Sequence, residues 1–284
     1  MNPIQTGKAD NNMTLGFLGA GNMGAAMMRG IAASELLKNG QITKIIAFDT
    51  DGEKLQRLAA DAGIEPCESA QALADAADFL VLAVKPQVLG GVLDGLTLRR
   101  EQVIISICAG ISAAFIRSHT IADARIILCM PNTPLMLGLG ATALAKCDGI
   151  TDAEFSLAMQ MFATCGIAEE IPESKMREII AVNSSSPAFL YLYAKGFLDY
   201  AKSEGLDDGA SLLLFAQSMI GSAKMMTDSG YSIDELIKMV SSPGGTTLAG
   251  LDKLYQGALT DTVDACCNAC TQRAYELAGA ERNK

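Results

Sequence analysis

Residues 15–24 read LGFLGAGNMG, a short apolar run that leads into the pattern G-x-G-x-x-G. Gly19 allows a tight turn, Gly21 lets a pyrophosphate approach the backbone, and Gly24 lets a helix pack closely on the preceding strand. The helix that follows offers free N–H groups and a partial positive charge to an anion. A glycine-rich turn is often only a turn, but this one follows a predicted strand and opens a predicted helix. The stretch therefore predicts a dinucleotide-binding site.

Short apolar runs alternate with helix-like segments from Thr14 to about Pro172. Their hydrophobic residues are continuous rather than alternating, as in strands buried on both faces of a parallel sheet. The predicted strands are Leu15–Gly19, Lys44–Asp49, Phe79–Val84, Val103–Cys108 and Arg125–Met130, and the predicted crossover helices include Asn22–Lys38 and Asp51–Ala62. This order predicts an α/β fold over residues 13–172: a Rossmann domain with a doubly wound, mostly parallel sheet.

Beyond Pro172 the strand signals stop and the pattern becomes helical. Helices are predicted at 174–182, 187–204, 208–228, 233–240, 246–255 and 261–279. The spacings Thr151-x-x-Glu154 and Ser232-x-x-Glu235 are capping boxes, and Ser186-Pro187 fits an N-cap before the first helical residue. We therefore predict a second, all-α domain over residues 173–284, built for dimerisation. Residues 1–12 are expected to be disordered or accessory.

The segment 211–226, SLLLFAQSMIGSAKMM, is apolar on nearly all sides. Leu212, Phe215 and Met219 form one stripe at helical spacing, while Leu213 and Ile220 cover other sides. Such a helix should be buried all round, and a helical domain of about a hundred residues offers little room for that. It is either the central helix of a monomeric bundle or a helix buried against a second copy. We expect an obligate homodimer, or a larger assembly built from dimers.

The composition of the 284 residues excludes several classes of protein. Half of the residues are hydrophobic and the mean hydropathy is +0.25, so the chain is not disordered. A net charge of −10 argues against nucleic-acid and anionic-membrane partners. With no signal-peptide pattern, no membrane-spanning run and eight cysteines expected to be reduced thiols, we expect a cytoplasmic protein. The single histidine excludes a mechanism that needs two.

Asp49 ends the second predicted strand. A carboxylate at this point accepts hydrogen bonds from a ribose 2′-OH and repels a 2′-phosphate, which favours NAD over NADP. Alternatively, the run Asp49-Thr50-Asp51 simply caps the next helix, as Asp and Thr do well.

Three more loops carry polar groups in suggestive positions. Lys85-Pro86 and the run Met130–Pro134 (MPNTP) each follow a strand, and therefore lie at the carboxyl edge of the sheet beside the cofactor. The run 240–250, VSSPGGTTLAG, joins two helices and exposes backbone N–H groups and hydroxyls. It can bind a carboxylate without any positive side chain. The alternatives are structural turns and a plain connector.

Together these segments resemble the pyrroline-5-carboxylate reductase family, over nearly the whole chain from Leu15 to about Ala278. The resemblance depends on FLGAGNMGAAMMRG at 17–30, AVKPQ at 83–87, MPNTP at 130–134, GSAKMM at 221–226 and VSSPGGTTLAG at 240–250. It implies an NADPH- or NADH-dependent enzyme of proline biosynthesis that reduces the C=N bond of 1-pyrroline-5-carboxylate to give L-proline. It also implies a Rossmann domain followed by a helical domain that dimerises by intertwining.

The resemblance also implies roles for single residues. The residues that would hold the cofactor are Leu18, Gly19, Ala20, Gly21, Asn22, Met23, Gly24, Ala83, Val84, Lys85, Pro86 and Asn132. Asp49, at the end of the second predicted strand, is a further cofactor candidate. Those that would bind the substrate are Ser185, Ser242, Gly244, Gly245, Thr246 and Thr247. Thr247 is the catalytic candidate, as a hydrogen-bond partner of the ring nitrogen, and no metal is implied.

Two departures from the family pattern stand out. Where the family usually reads S-G-S-G-P-A or S-G-S-S-P-A, residues 183–188 read NSSSPA, so that a serine replaces the usual glycine at 184. Asp49 stands where NADP-preferring members tend to carry small or basic residues.

Two other functions stay open on the sequence. A β-hydroxyacid dehydrogenase shares a G-x-G-x-M-G opening and a helical second domain, but neither Lys195 nor Lys224 lies in the motif of its catalytic lysine. A non-catalytic dinucleotide-binding regulator is the second alternative. We expect His119 to be an ordinary surface residue, and Cys267-x-x-Cys270 to be buried or idle thiols rather than a metal or redox site.

Overall fold

The computed structural model describes residues 13–278 and residue 282. The predicted accessory segment 1–12 lies outside the described residues. The described residues pack as two compact units, one formed by residues 13–185 together with the described residues from Thr271 onward, the other by Ser186–Cys270. The domain boundary expected after Pro172 stays a prediction.

The first unit is built on a twisted sheet of eight strands among the described residues. These are β1 Met13–Leu18, β2 Ile42–Phe48, β3 Glu65–Pro66, β4 Phe79–Leu82, β5 Val103–Ser106, β6 Arg125–Met130, β7 Gly140–Lys146 and β8 Gly166–Glu170. They are ordered β3-β2-β1-β4-β5-β6-β7-β8, and only the β6–β7 pair is antiparallel. The strand order reverses between β1 and β4, where a doubly wound sheet opens its ligand crevice. The predicted fold class is confirmed.

Helices cover both faces of this sheet. They are α1 Asn22–Ala33, α2 Glu35–Lys38, α3 Gly52–Ala62, α4 Ala70–Ala76, α5 Pro86–Asp94, α6 Ala113–Ser118 and α7 Asp152–Ala163. The prediction of one helix over 22–38 was wrong, because Ser34 interrupts it and its hydroxyl accepts the N–H of Leu36 to cap α2. The capping box of Thr151 and Glu154 is confirmed at the start of α7.

The core of the first unit lies on both sides of the sheet, as continuous hydrophobic strands require. Leu15 and Phe17 of β1 pack with α1 on one face, whereas Leu18 packs with Leu80 and Leu82 on the other. Strands β7 and β8 were not predicted from the sequence. β7 is rich in alanine and β8 ends in two glutamates. The two strands pair so closely that a Cβ on Gly166 would meet the backbone of Gly140.

The helix predicted over 174–182 was wrong. The chain forms a 3₁₀ turn at Glu173–Lys175 and a single π-turn at Ile180–Ser184. In the π-turn, the N–H of Ser185 donates to the carbonyl of Ile180 at 2.8 Å. Burial of the Asn183 side chain accompanies this wider turn.

The second unit is entirely helical. Its elements are α8 Ser186–Ser203, α9 Asp208–Asp228, α10 Ile233–Met239, α11 Thr246–Gln256 and α12 Leu259–Leu277, the last of which continues into the first unit from Thr271. They match the predicted helices to within one or two residues, although residue 279 lies outside the described part. The helix α8 begins at Ser186 itself rather than after it, and the Ser232 capping box is confirmed.

The helix α9 has no buried residue in the single chain, and Leu213 and Leu214 are each 72% exposed. Among the described residues, no helix is both long and apolar enough to cross a bilayer.

Candidate functional site

The turn at residues 19–24, here called the glycine turn, lies at the carboxyl end of β1. Gly19 has φ +105°, and a Cβ on it would come within 2.7 Å of the Ala83 carbonyl oxygen. A Cβ on Gly24 would come within 2.7 Å of the Gly19 carbonyl oxygen, so the helix packs directly on the turn. Around Gly21, by contrast, a Cβ would meet open space. Because no side chain caps α1, its first N–H groups are available to an anion, and the turn fits a dinucleotide phosphate.

Asp49 connects the end of β2 to the glycine turn. Its Oδ2 accepts the N–H of Ala20 at 2.6 Å, and its Oδ1 accepts the N–H of Asp51 at 2.9 Å. The helix cap is Asp51, whose carboxylate accepts the N–H of Lys54 at 3.2 Å. This hydrogen bond from Lys54 holds the pKa of Asp51 below its usual value. Of the three residues that the capping alternative named, only Asp51 therefore caps the helix.

The loop at residues 83–86 lies beside the glycine turn because β4 is the neighbour of β1. The N–H of Ala83 donates to the carbonyl of Leu18 at 2.9 Å, and Pro86 begins α5. Lys85 precedes that helix without capping it through its side chain. Its side chain is exposed and has no ion-pair partner among the described residues. It is therefore available to an anion at this edge of the sheet.

The loop at residues 107–112 was missed by the sequence reasoning, although it follows a predicted strand. It belongs to the same edge, because β5 lies between β4 and β6. Cys108 in this loop donates its thiol to the carbonyls of Leu82 and Val84, and burial raises the pKa of this thiol to about 11. It is therefore a protonated, structural cysteine rather than a nucleophile. The 107–112 loop could have been found from the sequence, because it comes directly after a predicted strand of the parallel sheet.

A cavity of about 450 Å³ lies at this edge, between the 107–112 loop and the segment 173–180. Its wall is mainly apolar, and its polar groups include the side chains of Glu173 and Arg177. The residues that line it are Ser106, Cys108, Gly110, Ile111, Ser112, Leu128, Cys129, Met130, Glu173, Ser174, Met176, Arg177 and Ile180.

The loop at residues 131–134 follows β6 at the same edge. The Asn132 carboxamide is bonded within the protein: its Oδ1 accepts the N–H of Ala141 at 2.9 Å, and its Nδ2 lies 3.5 Å from the carbonyl oxygen of Asn183. Asn132 therefore shapes this loop. The glycine turn, the 83–86 loop and the 131–134 loop thus bring the predicted cofactor residues of the first unit to one edge of the sheet.

In the second unit, the predicted substrate residues form one exposed turn at 242–247, here called the serine–glycine turn. Gly244 has φ +72°, and the N–H of Gly245 donates to the carbonyl of Ser242 at 3.0 Å. A Cβ on Gly245 would lie 2.7 Å from the Ser242 hydroxyl oxygen. The helix α11 then begins at Thr246 without a side-chain cap. Backbone N–H groups and hydroxyls therefore lie within one short turn, as binding of a carboxylate needs.

Comparison with known proteins covers both units. A family model described as pyrroline-5-carboxylate reductase dimerisation matches residues 173–277, and one described as NADP oxidoreductase, coenzyme F420-dependent, matches residues 14–110. The pyrroline-5-carboxylate reductase of Methanosarcina acetivorans is 32% identical over 270 residues, which are 94% of this chain and 98% of the relative. The chain belongs to the pyrroline-5-carboxylate reductase family. The resemblance inferred from the motifs is confirmed.

Two solved structures support this family assignment. The pyrroline carboxylate reductase of Plasmodium falciparum, which has NADP bound, superposes with a TM-score of 0.83 at 27% identity, over 94% of this chain and 99% of the other. The pyrroline-5-carboxylate reductase of Coxiella burnetii superposes with a TM-score of 0.85 at 27% identity, over 95% and 100% of the two chains. The chain is thus a member of an NAD(P)-dependent oxidoreductase family.

Two remaining sets of candidate residues in this reductase-family chain lie outside these loops, namely His119 and the cysteines. His119 ends α6, where its Nδ1 lies 2.7 Å from Oδ1 of Asp94 and its ring packs on Phe115. It is thus a half-buried, paired residue. The eight cysteines, which all lie within the described residues, form no disulfide, and Cys267 and Cys270 lie inside α12. Within the described residues, no cluster of three or more metal-ligating side chains is found.

Proposed function

We propose that this chain is a pyrroline-5-carboxylate reductase, which reduces the C=N bond of 1-pyrroline-5-carboxylate to give L-proline in proline biosynthesis. The observation that carries the proposal is family membership over 94% of the chain, together with two glycine-bearing helix starts suited to anions. When bound, the nicotinamide cofactor supplies the hydride. The protein supplies binding, orientation and exclusion of water.

The cofactor role belongs to the loops along the carboxyl edge of the sheet. The residues that we assign to it are Leu18, Gly19, Ala20, Gly21, Asn22, Met23, Gly24, Asp49, Ala83, Val84, Lys85, Pro86 and Asn132. The open space at Gly21 and the uncapped start of α1 support phosphate binding there. Lys85 adds a cation near the same edge, while Asn132 contributes by holding its loop in place.

The substrate role belongs to the serine–glycine turn and to Ser185. Ser242, Gly244, Gly245 and Thr246 would hold the carboxylate through N–H and hydroxyl donors. Thr247 would form a hydrogen bond with the ring nitrogen. A cyclic imine is readily protonated, so it can react as an iminium without a strong acid on the protein. A substrate that is already protonated suits a site whose polar groups are hydroxyls and amides. Binding of its carboxylate and ring nitrogen would orient the ring carbon for hydride addition.

For the cofactor we propose a preference for NADH over NADPH. A 2′-phosphate at the end of β2 would lie near the carboxylates of Asp49 and Asp51, and their negative charge would repel it. The nearby cation, Lys54, already lies 3.5 Å from the Asp51 carboxylate. A free ribose 2′-OH can instead donate to a carboxylate oxygen.

The test follows oxidation of NADH and NADPH with pyrroline-5-carboxylate, beside a panel of oxo acids. We expect turnover of the imine with a higher kcat/KM for NADH. Asp49→Asn keeps an oxygen that can accept from Ala20 but removes the charge, and should raise the NADPH-to-NADH ratio of kcat/KM about tenfold, the equivalent of ~1.4 kcal/mol. Glu101→Gln, an exposed charge removal beside β5, is the matched control and should leave the ratio unchanged.

Each alternative has its own outcome in this assay. Turnover of an oxo acid and not of the imine would favour a β-hydroxyacid dehydrogenase. Cofactor binding without turnover of any substrate would favour a regulator. A strong preference of the wild type for NADPH would exclude the role of Asp49 as a ribose ligand.

We also propose that the chain works as a homodimer in the cytoplasm. The second unit leaves large apolar side chains exposed along α9, and the family match there is to a dimerisation region. Eight cysteines without a disulfide among the described residues suit a reducing compartment.

A further inference from the structure

Two asparagine side chains fasten the 131–134 loop to the π-turn that precedes α8. The Nδ2 of Asn183 donates to the carbonyl of Met130 at 2.7 Å, in a buried hydrogen bond. In the other direction, the Nδ2 of Asn132 makes a longer contact of 3.5 Å with the carbonyl oxygen of Asn183. The N–H of Ala141 holds the oxygen of the Asn132 side chain. The loop is therefore held from β7 on one side and from the π-turn on the other.

Asn183 stands between two segments that carry proposed site residues. Through Met130 and Asn132 it fixes the loop at the end of β6, and the π-turn that contains it closes on Ser185, whose N–H donates to the carbonyl of Ile180 at 2.8 Å. Asn183 is a buried residue, at 9% exposure. The carboxamide thus has little solvent contact and is placed to hold protein groups rather than to reach a ligand.

Residues 183–185 read Asn-Ser-Ser. A carboxamide reaches further from the backbone than a hydroxymethyl group, and so can bond directly to Met130. Ser184 needs no glycine, because among the described residues Ala258 is the one non-glycine residue with positive φ.

We propose that Asn183 is a positioning residue for imine reduction. It acts through the 131–134 loop and Ser185, and it holds both in one arrangement without touching cofactor or substrate itself. This inference rests on the proposed function. Loss of the Asn183 amide would leave the buried Met130 carbonyl without its donor and would free the loop to move. A misplacement of about 1 Å at a reacting centre lowers the rate by about 100-fold.

The experiment compares Asn183→Ala with the wild-type full-length protein. We expect kcat to fall about 10–100-fold, while the Kd of the reduced cofactor, measured by fluorescence titration, rises only a few-fold. Asn183→Ser should recover part of kcat, because its shorter side chain keeps a hydroxyl that can reach the Met130 carbonyl through a bridging water. It also keeps the test informative if Asn183→Ala folds poorly.

Gln102→Ala is the matched control. Gln102 is 2% exposed, and its Nε2 donates to the carbonyls of Ala74 and Ala77 at 2.9 and 2.7 Å, just before β5 begins at the opposite edge of the sheet. Its loss should lower Tm as much as Asn183→Ala does but leave kcat and KM unchanged. If the two variants behave alike in both Tm and kinetics, Asn183 is only a structural residue. If the wild type itself fails to reduce the imine, the proposed function fails instead.

Discussion

Two helices of this protein begin on a glycine-bearing turn without a side-chain cap, α1 in the first unit and α11 in the second. The glycine turn before α1 is enclosed by its surroundings, because a Cβ on Gly19 or Gly24 would collide with neighbouring backbone. The serine–glycine turn before α11 is open. Around Gly244 a Cβ would meet nothing, and Ser242 and Thr247 are exposed.

The difference concerns how each proposed anion site is built. Strands β1 and β4 pair beneath the glycine turn, so its shape follows from a sheet whose core is complete within one unit. The serine–glycine turn belongs to a unit in which α9, α10 and α11 have no buried residue in the single chain. The homodimer proposed above would cover these helices and so complete the surroundings of the serine–glycine turn.

The largest expected effect comes from preventing that cover. The double substitution Leu213→Glu with Leu214→Glu places two carboxylates on the exposed apolar side of α9, where burial in an interface would carry a large desolvation cost. We expect sedimentation velocity to show loss of the dimer, and proline formation to fall below detection. The control is Lys202→Glu on α8, which changes the net charge by the same −2. It should leave the dimer and the rate of proline formation unchanged. A monomeric double variant with wild-type turnover would show that the second turn needs no partner.

Within the second turn, Thr247→Ala tests the proposed hydrogen bond to the ring nitrogen. Loss of a hydrogen bond made in the transition state should lower kcat/KM for the imine by about 10–1000-fold. The Kd of the cofactor should not change. Thr247→Ser keeps a hydroxyl and should retain most of the rate. Kinetics of Thr247→Ala equal to wild type would remove this residue from the site.

Two alanine substitutions in the first turn separate its packing from its ligand binding. Gly24→Ala puts a methyl 2.7 Å from the Gly19 carbonyl oxygen and should lower the free energy of unfolding by about 1–3 kcal/mol. Gly21→Ala enters open space and should leave Tm unchanged. Its methyl group should keep a phosphate from approaching the backbone. Cofactor binding should therefore weaken by about 10–100-fold, as expected for loss of a hydrogen bond to a charged group worth ~1.5–3 kcal/mol. Unaltered cofactor affinity in Gly21→Ala would place the phosphates elsewhere.

Features that depend on neighbours in the chain could be predicted. Thr151 and Ser232 cap their helices because each partner glutamate is three residues away, and the glycine turn was recognisable from six consecutive residues. The strands β7 and β8 could not be predicted in this way. Their sequences have weak strand preference. β7 is stabilised by pairing with β6, and β8 by pairing with β7, where Gly140 and Gly166 approach each other closely.

Local sequence patterns were enough to establish the order of most elements, the two glycine-bearing helix starts and the excess of apolar surface along α9. The folded structure was needed to show that Asp49 accepts the N–H of Ala20, 29 residues away, and that Asn183 donates to the carbonyl of Met130, 53 residues away. Such contacts depend on which strands become neighbours and on which side chains are buried between them. Packing of distant segments sets both, and no short stretch of sequence specifies it.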